Sequence, residues 1–137
     1  PVVLDTGVLL AALDVNDPRH REATAVLAGL ERDVPVVPAP ILSELDYWLR
    51  KRGAAETWTA FCKDVVRGRY AVHHLDPDAL LRAANLQAKY ADLRIGFVDA
   101  AVFVTCVELE DPQVATFDRR HFSVLRTEDG RTLEIVP

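Results

Sequence analysis

At 137 residues, half of them apolar and with a net charge of −5, the chain fits one domain over residues 1–137 with a sizeable core, and disorder is excluded. The acidic balance argues against nucleic-acid binding by bulk positive charge alone, though not against a nuclease whose acids are partly neutralised by metal. Cys62 and Cys106 lie far apart with no Cys-x-x-Cys pair, which argues against a disulfide scaffold or thiolate zinc site, predicts two small core residues and fits a reducing cytoplasm.

The N-terminal Pro1-Val-Val-Leu-Asp5 has no basic segment and no long apolar run, so neither a signal peptide nor a transmembrane helix is expected. Val2–Leu4 reads as a short strand ended by Asp5, and a helical pattern follows through Leu13. Asp17-Pro18 restarts the chain, with Pro suited to a first helical turn of a helix reaching about Leu30. Val34–Val37, bounded by prolines, is a second strand. Pro40 opens a helix that Gly53 stops at about Arg52, and another runs from Ala54 to about Val66 before Gly68. Ala71–Leu75 is a third strand, followed by a long helix from Pro77 to about Tyr90. Gly96 precedes a helix from Val98 to about Glu108, Val114–Phe117 is a fourth strand, and Leu133–Val136 is a fifth. Short buried strands alternating with helices predict an α/β fold with a central, mainly parallel sheet of four to five short strands. In such sheets chemistry collects beyond the carboxyl ends of the strands.

Four carboxylates occupy such places. Asp5 follows the first strand and on its own reads as a helix N-cap. Asp118 follows the fourth strand and on its own reads as a turn or cap for Arg119-Arg120-His121-Phe122. Glu44 shares a helical column with Ile41 and Trp48, at the edge of an apolar stripe of Ile41, Leu42, Leu45, Trp48 and Leu49. Asp99 aligns with Val102, Phe103 and Cys106 at the start of a strongly apolar helix. The helix dipole tolerates a charge there, worth about 0.3–1 kcal/mol, but does not require one; a buried carboxylate persists when it is paired or binds a cation. Taken together, all four can reach one cleft. Two carboxylates about 4 Å apart repel by roughly 4 kcal/mol at an effective dielectric of 20, so four need a cation. An all-oxygen set selects Mg²⁺ or Mn²⁺, whereas zinc would want His or Cys, and neither stands at a suitable spacing in the sequence.

Val3-Leu-Asp5-Thr6-Gly-Val-Leu-Leu, Ile41-Leu-Ser-Glu44-Leu, Gly96-Phe-Val-Asp99-Ala-Ala and Ala115-Thr116-Phe-Asp118-Arg-Arg-His-Phe122, in that order, resemble the PIN-domain proteins, specifically the VapC toxins of toxin–antitoxin pairs. Each motif is short, and their order and spacing across nearly the whole chain make the match. The resemblance implies a three-layer α/β/α sandwich and a Mg²⁺- or Mn²⁺-dependent endoribonuclease, leaving 5′-phosphate and 3′-hydroxyl ends on structured RNA such as tRNA or ribosomal RNA. It also implies a homodimer inhibited by a VapB-type antitoxin. Asp5, Glu44, Asp99 and Asp118 match the family's acidic quartet. Thr6 and Thr116 match polar residues that support it, and Asp92 is a candidate additional supporting acid.

Phosphate contacts need cations, and Arg94, Arg119 and Arg120 are placed near the quartet in sequence. Arg50-Lys51-Arg52 ends a helix, where the dipole favours cations; His121 receives no role, and adjacent His73 and His74 would point to opposite faces of a strand. Tyr47, Trp48, Trp58 and Phe61 read as core or partner packing, and the helical pair over residues 39–66 offers a groove for an antitoxin helix. The competing class is a PIN-like protein that binds RNA or a partner without cutting, against which the complete quartet argues. A haloacid-type phosphatase would want Asp where Gly7 stands, a receiver domain would want a Lys after a late strand, and no Gly-x-Gly-x-x-Gly occurs.

Overall fold

The computed structural model describes residues 1–30, 33–110 and 113–137. Five three-residue strands form one sheet: β1 (Val2–Leu4), β2 (Val36–Pro38), β3 (Ala71–His73), β4 (Gln113–Ala115) and β5 (Glu134–Val136). Their spatial order is β3-β2-β1-β4-β5 and every pairing is parallel. β1 lies at the centre and is buried throughout, so its sequence is a continuous apolar run and not an alternating one.

Among the described residues seven helices connect the strands: α1 (Thr6–Leu13), α2 (His20–Ala28), α3 (Ile41–Lys51), α4 (Ala55–Val66), α5 (Pro77–Lys89), α6 (Phe97–Glu108) and α7 (Arg119–Phe122), with a 3₁₀ turn at Ala91–Leu93. They sort into α1 with α2, α3 and α4, and α5 with α6, the latter packed along β1, β2 and β4. The result is the three-layer α/β/α sandwich with Leu4, Leu9, Ile41, Leu45, Leu49, Phe61, Phe122 and Leu125 fully buried in its core.

The expected elements are all present, with shifted ends. The Asp17 side chain accepts the amide of Arg19 and its carbonyl accepts the amide of His20, and the helix after it starts at His20 rather than at Pro18. α3 stops because Gly53 turns left-handed, at φ 75°. Trp48, assigned to the apolar stripe of α3, is 41% exposed. The helix buries only the column through Ile41, Leu45 and Leu49, which one face of three turns can cover. Cys62 is exposed and Cys106 buried, so only the second is a core residue.

The chain order fixes where a site can form. From β1 the chain builds leftward through β2 and β3, then crosses to β4 and continues rightward to β5. The crevice between the carboxyl ends of β1 and β4 is the point at which the winding direction reverses. Leu4 and Ala115 are register partners there, so the residues that follow them are brought together by backbone pairing alone.

Candidate metal centre

Asp5 and Thr116 follow those partnered strand ends. The Asp5 amide donates to Ala115 O at 3.0 Å, and the Thr116 hydroxyl donates to Asp5 Oδ2 at 2.7 Å. The other carboxylate oxygen of Asp5 accepts the Thr6 amide at 2.8 Å, which caps α1. Thr116 also accepts the Asp118 amide at 2.9 Å, so one buried hydroxyl ties Asp5 to the loop carrying Asp118. Asp118 in turn accepts the His121 amide at 3.1 Å and starts α7, which the fully buried Phe122 pins to the core.

Glu44 arrives from the second strand. α3 starts three residues after β2 and brings the Glu44 carboxylate to within 2.8 Å of the Thr6 hydroxyl, which donates to it. Asp99 sits in the first turn of α6. Unlike Asp5 and Asp118, it accepts no backbone amide among the described residues, so capping does not account for it. Its Oδ2 lies 3.4 Å from Nδ1 of His121, which is also 2.9 Å from Oδ2 of Asp118. Ligand atoms of Asp99, Asp118 and His121 all lie within 4.8 Å of one another.

The electrostatics join the four acids. Burial pushes the Asp5 carboxyl up to about 6, against the hydrogen bonds from Thr116 and Thr6, and the charges of Asp99 and Asp118 add to the rise. Burial also raises Asp99, followed by the charge of Asp118; His121 opposes the rise and Glu44 adds to it. Each raised acid therefore feels others of the same set. A crowd of carboxylates whose ionisation is resisted by burial and by mutual repulsion is chemically suited to a hard divalent ion. The orphaned Nδ1 of His121, buried and out of line for a hydrogen bond, adds a nitrogen to the donor set.

The structure thus brings Asp5, Glu44, Asp99 and Asp118 together, with Thr6 and Thr116 bonded between them. Asp92 is on the exposed 3₁₀ turn, and no hydrogen bond joins it to the four among the described residues. Arg94 is exposed in a left-handed conformation just before α6. Arg119 and Arg120 are exposed on α7, and Arg119 donates to the carbonyl of Pro137. Arg50 and Arg52 are engaged elsewhere: Arg50 with Asp46, and Arg52 with both Asp14 and Asp17 at 2.8 Å. His73 has a partner in Glu108, at 2.8 Å. Sequence reasoning passed over His121, although its i, i+3 spacing from Asp118 was the available signal. It also passed over Arg19, whose guanidinium lies 3.4 Å from the ring centroid of Phe117, and no local spacing connects those two.

An acidic crevice at the winding reversal of a five-stranded parallel sheet, with this helix arrangement, defines a PIN domain, and a PIN-domain family model matches residues 2–127. Ribonuclease VapC26 of Mycobacterium tuberculosis (strain ATCC 25618 / H37Rv) is 30% identical over 136 residues, covering 99% of this chain and all of that protein. The chain belongs to the PIN-domain family and, within it, to the VapC-type ribonucleases. The fold is also that of Mycobacterium tuberculosis VapC20, described as a sarcin–ricin loop cleaving toxin. That match has a TM-score of 0.83 at 19% identity and covers both chains fully. DNA-bound VapBC of Salmonella typhimurium matches with a TM-score of 0.66 at 19% identity, over 98% of this chain and 95% of that one.

Proposed function

We propose that the chain is a divalent-metal-dependent endoribonuclease, the toxin of a VapBC-type pair, which cuts structured RNA such as tRNA or ribosomal RNA. The observation that carries the reading is the convergence of Asp5, Glu44, Asp99 and Asp118, with Asp5 and Asp99 each shifted by burial and by other members of the set. Asp5, Glu44, Asp99 and Asp118 would hold Mg²⁺ or Mn²⁺, which would supply acidity to a bound water at neutral pH and charge stabilisation to a leaving oxygen. The protein's part is to hold the acids. Thr116 fixes one oxygen of Asp5 and the Thr6 amide fixes the other, so its orientation is set before anything binds. Thr6 holds Glu44 in the same way through its hydroxyl. Arg94, Arg119 and Arg120 are the cations offered to RNA phosphates around the crevice.

A VapB-type antitoxin, a homodimeric state and a cytoplasmic site of action belong to the same reading. Support for the partner comes from the likeness to a toxin–antitoxin complex and from Tyr47 and Trp48, 55% and 41% exposed on α3. No helix among the described residues is long and apolar enough to cross a membrane. Non-catalytic RNA binding is the lesser reading, because no member of the quartet is missing.

The test is cleavage of structured RNA by purified protein with Mg²⁺ or Mn²⁺ against EDTA. Cleavage should require the ion and fall by roughly a hundredfold or more in Asp99→Asn. Removing one charge from the crowded site should leave that variant at least as stable as the parent without metal, so lost activity is not lost folding. Equal cleavage by folded Asp99→Asn contradicts the proposal.

A further inference from the structure

His121 stands against the acids and has no part in the proposed reaction. Its Nδ1 is buried, 2.9 Å from Asp118 Oδ2 and 3.4 Å from Asp99 Oδ2, yet it has no in-line hydrogen-bond partner. A ring nitrogen facing two carboxylates can carry a proton toward them or turn a lone pair toward an ion that they share. No in-line hydrogen bond claims this nitrogen, which leaves it open to a ligand role. The spacing favours the lone pair. Ligand atoms each about 2.1 Å from one ion lie about 3.0 Å apart at an octahedral right angle and about 3.4 Å apart at a tetrahedral one. The ring is also held from behind, since its own amide binds Asp118 and the next residue, Phe122, is fully buried.

We propose that Nδ1 of His121 is a ligand of the divalent ion held by Asp99 and Asp118, which makes the centre a mixed nitrogen–oxygen set with a preference for Mn²⁺ over Mg²⁺. The inference rests on the metal-dependent reading of the site. Mg²⁺ takes oxygen ligands almost exclusively, whereas imidazole suits first-row transition ions. The absence of a His or Cys at zinc-like spacing, argued from the sequence, misses this residue because its partner acids come from two different elements.

Pulsed electron paramagnetic resonance of the whole chain loaded with Mn²⁺ reads the nitrogen directly. Coupling to ¹⁴N is expected in the parent, converted to ¹⁵N coupling when histidine is supplied as [¹⁵N]histidine, and lost in His121→Gln. Calorimetric titration should show Mn²⁺ affinity about tenfold weaker in His121→Gln while Mg²⁺ affinity changes by no more than about twofold. The labelled parent keeps the test valid even if the variant does not fold, because His20 is bonded to the carbonyl of Ala11 and His73 to Glu108, and His74→Gln serves as the control for the fourth histidine. Mn²⁺ that binds without nitrogen coupling, or with coupling unchanged in His121→Gln, overturns histidine ligation and leaves the acidic centre standing. Failure of Mn²⁺ to bind at all overturns both.

Discussion

Thr116 is the side chain through which the acids of β1 and β4 feel each other. Its hydroxyl donates to Asp5 and accepts from the Asp118 amide, and it is 1% exposed. Thr116→Val keeps the shape and removes both bonds, leaving a buried carboxylate oxygen and a half-buried amide unpaired. Urea unfolding should show a loss of about 1–3 kcal/mol, and Mn²⁺ titration an affinity about tenfold weaker. A variant equal to the parent in both would show that the hydroxyl does not support the site. Asp5 and Asp118 could be found in the sequence because each follows an apolar run and opens a helix. For His121 the sequence offers only its i, i+3 spacing from Asp118; its other neighbour, Asp99, stands twenty-two positions earlier on α6.

At the scale of elements, Glu44 depends on the packing of α3. The helix is seated on the core by Ile41, Leu45 and Leu49, all fully buried, and its far end is held by Arg52 bridging Asp14 and Asp17 across the α1–α2 turn. Leu45→Ala should cost about 2–5 kcal/mol in denaturant unfolding and weaken cleavage of RNA beyond what the stability loss explains, because Glu44 is the neighbouring residue. Unchanged stability would mean that α3 is not seated as described. The order of strands and helices was legible in the sequence because prolines and glycines punctuate the apolar runs. Element ends are not: the apolar pattern carries the fourth strand through Thr116 and Phe117, yet β4 ends at Ala115. The Thr116 amide still donates to Val136 O at 2.9 Å, while its side chain turns into the site. Trp48 joins the apolar stripe by its i, i+3 spacing from Leu45, and reads as core or partner packing; spacing cannot tell a half-covered flank from a buried face.

For the molecule as a whole, the metal-free fold carries an electrostatic burden that depends on pH. Burial raises the Asp5 carboxyl from 3.8 to about 6, so the folded state binds that proton more tightly than the unfolded chain does. The stability this group allows is therefore fully present below about pH 4 and is lost as pH rises through 6, a difference of about 3 kcal/mol. A divalent ion reverses the sign of the local interaction and competes with the same proton. The difference between Tm with Mn²⁺ and Tm in EDTA should be about 8 °C above pH 7 at an ion concentration of 100 Kd, and about half of that at pH 5 with the same ion concentration. A difference that does not vary with pH would separate ion binding from Asp5.

The most direct measurement is anomalous diffraction at the manganese edge from crystals grown with Mn²⁺. The expected map has a peak bounded by the carboxylates of Asp5, Asp99 and Asp118, with Glu44 across the crevice. A crystal saturated with Mn²⁺ that shows no peak there, or only peaks elsewhere on the surface, would contradict a shared metal centre and with it the nuclease assignment.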